Sequence, residues 1–92
     1  MSKNSYCDCL KAEDVVPLII SSDYKERFVG EYHELKIRAS KLSDMLYNYK
    51  NGTLSFTPKC DLLILEEQLD YMNKYLSVLE RRAEIENIDL RN

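Results

Sequence analysis

Two long runs of apolar residues at helical spacing constrain this chain more than any other feature. Phe28, Tyr32, Leu35, Ala39, Leu42, Leu46 and Tyr49 alternate steps of four and three within residues 23–50. Leu62, Leu65, Leu69, Met72, Leu76, Leu79 and Ala83 alternate steps of three and four within residues 59–90. This is the spacing of one helical face meeting another helix. Neither run carries the two-residue alternation of a strand.

The punctuation agrees. Ser22 or Asp23 offers an N-cap before Tyr24, its side-chain oxygen satisfying an otherwise free backbone N–H. Asn51–Gly52 suits the left-handed residue that closes a helix, and Thr57–Pro58 offers a new cap with proline at the first helical position. The break at about 51–57 is short enough to make the helices antiparallel neighbours. The expected fold is therefore all-α: a two-helix hairpin over residues 23–92, with helices at about 23–50 and 59–90. A segment or short helix at 1–22 precedes it. With only two Gly and two Pro in 92 residues, a turn-rich β fold is excluded.

The second run has a further stripe. Ile64, Gln68, Tyr71, Tyr75, Val78, Arg82 and Ile85 also step by four and three. A two-helix hairpin uses one face of each helix, so a second apolar face needs a partner. Val15, Val16, Leu18, Ile19 and Ile20 can cover part of it, closing a three-helix unit. Otherwise the stripe points to self-association into a homo-oligomer, since so small a chain buries little surface alone. Within this stripe Arg82 is set between Val78 and Ile85 and should point into a packing or assembly surface, whereas Arg81 is about 100° away and reads as solvated. A charge in an apolar stripe is costly unless paired. Glu86, four residues on, can pair with it; an anion or a partner's carboxylate can equally do so.

Charge limits the partners. Thirteen Lys+Arg against sixteen Asp+Glu give a net charge of -3, which provides no bulk attraction to duplex nucleic acid. Any anion site must be a local cluster. Arg27, Lys36, Arg38 and Lys41 lie on the first helix, where solvated charge is the default reading. Arg38 and Lys41 nevertheless share a face, and Tyr24 and Tyr32 lie toward the start of the same helix. Rings that stack on bases beside cations that neutralise phosphates are what a nucleotide pocket requires. Tyr49, Tyr71 and Tyr75 read as packing residues.

Other chemistry is poorly supported. His33 has no partners for a triad or dyad and reads as a surface helix residue. The acids, Glu66–Glu67 included, show no metal-loop spacing, and there is no glycine-rich phosphate loop. The odd set of Cys7, Cys9 and Cys60 suggests neither a disulfide framework nor a zinc site, which needs four well-spaced ligands. The run Val15 to Ile20 is interrupted by Pro17 and is far shorter than the ~20 residues of a membrane span. It also lacks the pattern of a signal peptide. The expectation is a soluble, intracellular, non-enzymatic protein without metal or cofactor.

Two blocks add a resemblance. "RFVGEYHELKIRASKL" (27–42) and "QLDYMNKYLSVLERR" (68–82) resemble the phage anti-CBASS cyclic-oligonucleotide sponges, whose helical hairpin is related to that of some anti-Thoeris sponges. The family pattern is an E-x-x-L-x-x-R/K-x-x-K-L block, a break, then Q-L-x-x-M-x-x-Y-x-x-x-L-x-x-R. Gln68, Leu69, Met72, Tyr75, Leu79 and Arg82 fit the second half in order. Leu35, Arg38, Lys41 and Leu42 fit the first, with Glu31 one residue or Glu34 two residues out of place. The resemblance implies a homo-oligomer, commonly a hexamer. It would bind cyclic di- or trinucleotides between protomers without cleaving them, in the cytoplasm of the infected bacterial host. It implies phosphate contacts from Lys41 and Arg82 and base stacking from Tyr24, with Arg27 and Arg38 as further candidates in the ligand-binding set. Residues 1–22 are longer than the family's usual N-terminus. The competing expectation is a helical protein–protein interaction or assembly module with no small-molecule ligand; a third, single-stranded nucleic-acid binding, is disfavoured by the net charge.

Overall fold

The computed structural model describes residues 12–90. It contains three helices, α1 (Ala12–Ile19), α2 (Tyr24–Lys50) and α3 (Leu62–Glu86). Among the described residues there is no strand. Helix α2 packs on both α1 and α3, and α1 makes no comparable contact with α3. Cys7 and Cys9 lie outside the described residues.

The start of α2 is built by the turn that precedes it. The Asp23 carboxylate accepts the Lys25 N–H at 2.9 Å, and the Ser21 hydroxyl accepts the Asp23 N–H at 3.0 Å. Helix α2 closes where expected, with Asn51 as its last capping residue and Gly52 at φ +74°. There a residue with a Cβ would be strained. Helix α3 departs from expectation at both ends. It starts at Leu62 and not at 59, because Asp61 and not Thr57 is the cap; its carboxylate accepts the Leu63 N–H at 3.3 Å. Aspartate caps better than threonine, and it directly precedes the first residue of the apolar run. Helix α3 ends at Glu86 and not at 90, because Asn87 adopts the left-handed conformation at φ 58°. The N–H groups of Asn87 and Ile88 both point to the Ala83 carbonyl. Asparagine tolerates this geometry better than most residues.

That stop returns the tail to the hairpin. Ile88 is buried with Phe28, Val29, Tyr32, Leu79 and Ala83, and Leu18, Leu35, Leu76 and Leu90 pack around them. The main core therefore sits where the start of α2, the end of α3, α1 and the tail converge. His33 is part of this end and is not the surface residue that the sequence suggests. It is 6 % exposed, its Nε2 is hydrogen-bonded to the Leu90 carbonyl, and its ring meets Tyr32 edge-on at 5.2 Å. The tail fold that buries it could not be read from α2 periodicity. Tyr32 is likewise a core residue, with its hydroxyl donating to Glu80 at 2.7 Å.

The N-terminal helix takes an unexpected side. Val15 is 2 % exposed, and α1 lies along α2 and not along the second stripe of α3. The contact is close because Gly30 has no side chain. A Cβ there would lie 2.9 Å from both the Ile19 backbone nitrogen and the Leu18 Cβ. The second stripe of α3 is thus left uncovered by α1, and no three-helix core forms around it.

Gly30→Ala should displace α1 while leaving the α2–α3 pair intact, since alanine favours the helix by up to about 1 kcal/mol. Amide exchange should accelerate across residues 12–19 and stay unchanged at the centres of α2 and α3. Unchanged protection of α1 would show that the close approach is not what seats it.

Candidate functional site

Two stripes share one side of the hairpin. On α2, Arg27, Glu31, Glu34, Arg38 and Lys41 each precede a residue of the expected apolar face by one position. On α3, Ile64, Gln68, Tyr71, Tyr75, Val78 and Arg82 do the same. In antiparallel helices an equal offset falls on the same side of the pair. The Tyr75 hydroxyl confirms the adjacency by donating to Glu31 across the two helices. The result is a charged stripe on α2 bordered by a largely apolar, aromatic stripe on α3.

The α3 stripe is open. Ile64, Tyr71, Tyr75, Val78 and Ile85 are between 41 and 79 % exposed. Tyr71 and Tyr75 are therefore not packing residues within one chain, and Tyr49 is also exposed. Lys74 lies 5.6 Å from the Tyr71 ring and pairs with Asp70 at 3.2 Å. A shallow groove runs between Ile64, Glu67, Gln68, Tyr71, Met72 and Tyr75.

The expected site residues fall in two places. Arg82 lies on the α3 stripe, half exposed, with its guanidinium carbon 4.8 Å from the centre of the Phe28 ring. Its Nε–H donates to Glu86 at 2.8 Å, so the i,i+4 ion pair is formed. No described residue accepts a hydrogen bond from its two Nη groups. Aromatic face and carboxylate together hold the guanidinium plane while the outer fork stays open to a phosphate. Phe28 was not anticipated in this role. Its signal was the antiparallel register, which sets the start of α2 against the end of α3.

Lys41 and Arg38 lie elsewhere, in a cleft between α1 and α2 that Val15, Ile19, Glu34 and Ile37 also line. Arg38 pairs with Glu34 at 3.1 Å, both side chains exposed. Lys41 has no acidic partner among the described residues. Arg27 is taken up locally, its Nη1 donating to the Ser21 carbonyl at 3.1 Å and bracing the turn before α2. Tyr24 is exposed at the first position of α2. Phe28 and Lys41 are thirteen positions apart on α2, about 20 Å along the axis. One copy of the chain does not bring Arg82 and Lys41 together.

The remaining chemistry is sparse. Cys60 is exposed and unpaired with another cysteine. Among the described residues no group of three or more His, Cys, Asp or Glu side chains could hold a metal ion. No helix among them is long and apolar enough to cross a membrane.

The chain is thus a small helical hairpin with cations and aromatic side chains on one open side. The family model described as Sequestin matches residues 22–85, and the chain belongs to that family. The name denotes sequestration, which is binding rather than catalysis. The match covers α2 and almost all of α3; α1 and the tail after Glu86 lie outside it. No curated protein and no solved structure matches the chain.

Phe28→Ala should cost about 3–5 kcal/mol in urea unfolding, as for other buried aromatic truncations. Tyr75→Phe, which removes only the exposed bond to Glu31, should cost about 1 kcal/mol or less. Equal costs would mean that the polar bond and not the core fixes the register of the two helices.

Proposed function

We propose that this chain sequesters cyclic di- or trinucleotide second messengers of bacterial anti-phage signalling without cleaving them. In this reading it is a phage immune-evasion protein acting in the cytoplasm of the infected host. Its homo-oligomer, a hexamer by the resemblance, carries the sites between protomers. Lys41 and Arg82 contact phosphates, Tyr24 stacks on a base, and Arg38 and Arg27 border the site.

The observation that supports this reading best is the state of Arg82. Its guanidinium is held by a ring and a carboxylate, yet its Nη fork has no acceptor among the described residues. A phosphodiester fits such a fork. Lys41, also without an acidic partner among the described residues, supplies a second cation of the kind a ligand with two or three phosphates needs. Membership of a sequestering family agrees with a site that binds and does not react. The exposed α3 stripe also favours a second reading, an assembly module whose arginines meet acidic proteins.

Melting curves with cyclic dinucleotides, cyclic trinucleotides and linear dinucleotide controls separate the two. At 100 times its Kd a cyclic ligand should stabilise the fold by about 2.7 kcal/mol, and linear controls should not. Arg82→Ala and Lys41→Ala should each abolish that shift while keeping the helical signal and oligomeric mass of the wild type. A flat screen on folded protein would favour the assembly module. Normal binding by both variants would displace the site from these residues.

A further inference from the structure

Lys41 stands at the edge of a cleft that lies wholly within one chain. Val15 and Ile19 of α1 form one wall, and Glu34, Ile37, Arg38 and Lys41 of α2 form the other. The space is about 310 Å³, at the lower end of the range for small-molecule sites. Gly30 lets the end of α1 rest against the α2 backbone, and the cleft occupies the gap between the two helices on the Lys41 side of that contact. Helix α1 lies outside the family match at residues 22–85, so one wall of this cleft is not part of what family membership describes.

The lining is amphipathic. Its three apolar residues are branched aliphatics, and none of the lining residues is aromatic. The floor therefore suits a saturated chain better than a base, which needs a ring to stack on. The charges are not balanced. Arg38 is neutralised by Glu34 at 3.1 Å, whereas Lys41 is exposed and has no acidic partner among the described residues. The cleft thus carries one net positive charge, placed at one end. One free ammonium matches a monoanion; a terminal phosphate, with nearly two charges, would be left half neutralised.

We propose that this cleft binds a medium-chain acyl carboxylate within a single chain, its head group on Lys41 and its saturated tail between Val15, Ile19 and Ile37. The Lys41 ammonium donates to the carboxylate. Glu34 lies seven positions before Lys41 on α2, and its ion pair with Arg38 closes the far end. That separation is about 10 Å along the helix axis, the length of a tail of roughly eight carbons. The site is separate from Arg82 and needs no second copy. It does not depend on the function proposed above, but it shares Lys41 with it. A bound acyl carboxylate is therefore a competitor of any phosphate held by that lysine.

Titration with straight-chain carboxylates, followed by methyl NMR, tests the site without any nucleotide. Octanoate should shift the Ile19 and Ile37 methyl signals and leave those of Ile64 and Ile85, on the exposed α3 stripe, unmoved. From butyrate to octanoate, each added methylene should tighten binding about fourfold. Acetate lacks the tail and octylamine carries the opposite charge, so neither should bind. Lys41→Ala should keep the helical signal of the wild type and weaken octanoate binding about tenfold or more. Gly30→Ala keeps the lysine, and once amide exchange shows α1 displaced it should weaken octanoate binding too. Equal shifts at Ile64 and Ile85, binding of octylamine, or unaltered octanoate affinity in Lys41→Ala would overturn the proposal. Octanoate binding beside a flat cyclic-nucleotide screen would uphold this site and sink only the sequestration reading. Cyclic-nucleotide binding without octanoate binding would do the reverse.

Discussion

The contact of Phe28 and Tyr32 on α2 with Leu79 and Ala83 on α3 is the interaction on which the rest of the structure depends. It sets the register of the two helices, and register decides every other neighbour. With Leu79 2 % exposed and Ala83 similarly buried, the helices approach closely at this end. That places Glu80 under the Tyr32 hydroxyl, Arg82 over the Phe28 ring and Tyr75 beside Glu31. Farther toward the loop, the pair is held by a thinner seam, in which Leu46 is buried and Lys50 pairs with Glu66 at 2.5 Å.

A core confined to one end explains the roles of the flanking elements. Helix α1 contributes Leu18, and the tail contributes Ile88 and Leu90. Both pack at the end of the hairpin where α2 starts and α3 stops, and α1 rests on α2 rather than on α3. Gly30 and Asn87 make this possible in different ways. The first removes the side chain that would keep α1 at a distance, and the second turns the chain back at a left-handed residue. The stabilising elements thus leave Tyr75 and Arg82 on α3 uncovered, while α1 shares a cleft with Lys41. The same economy leaves a row of large apolar side chains in water, which is the condition for assembly in a chain of this size.

Arg82 illustrates how far residue spacing can be read. The i,i+4 partner Glu86 is legible from sequence, because helix geometry alone brings the two together. The stripe to which Arg82 belongs is legible for the same reason. The ring beneath it is not, because Phe28 lies on another helix 54 positions away and meets it only through the antiparallel register. The fate of Arg27 is also invisible to spacing: its guanidinium is spent on a backbone carbonyl in the turn before its own helix.

The sequence by itself determined the two long helices, their antiparallel relation and the division of α3 into a buried and an open stripe. Periodicity and short connections act locally and leave little choice. It also narrowed the N-cap of α2 to Ser22 or Asp23, of which the fold uses Asp23, and placed the stop at Asn51–Gly52, both of which depend on neighbours within a few residues. Tertiary structure alone decided which side α1 covers, where α3 ends and what becomes of His33. Val15, Leu18 and Ile19 could have covered either helix; the bare Gly30 backbone, and not their own pattern, set their place. His33 looks exposed on a helical wheel and is buried because the tail after Asn87 folds across it. Burial by a segment 57 positions away is a property of the packed chain, not of any local pattern.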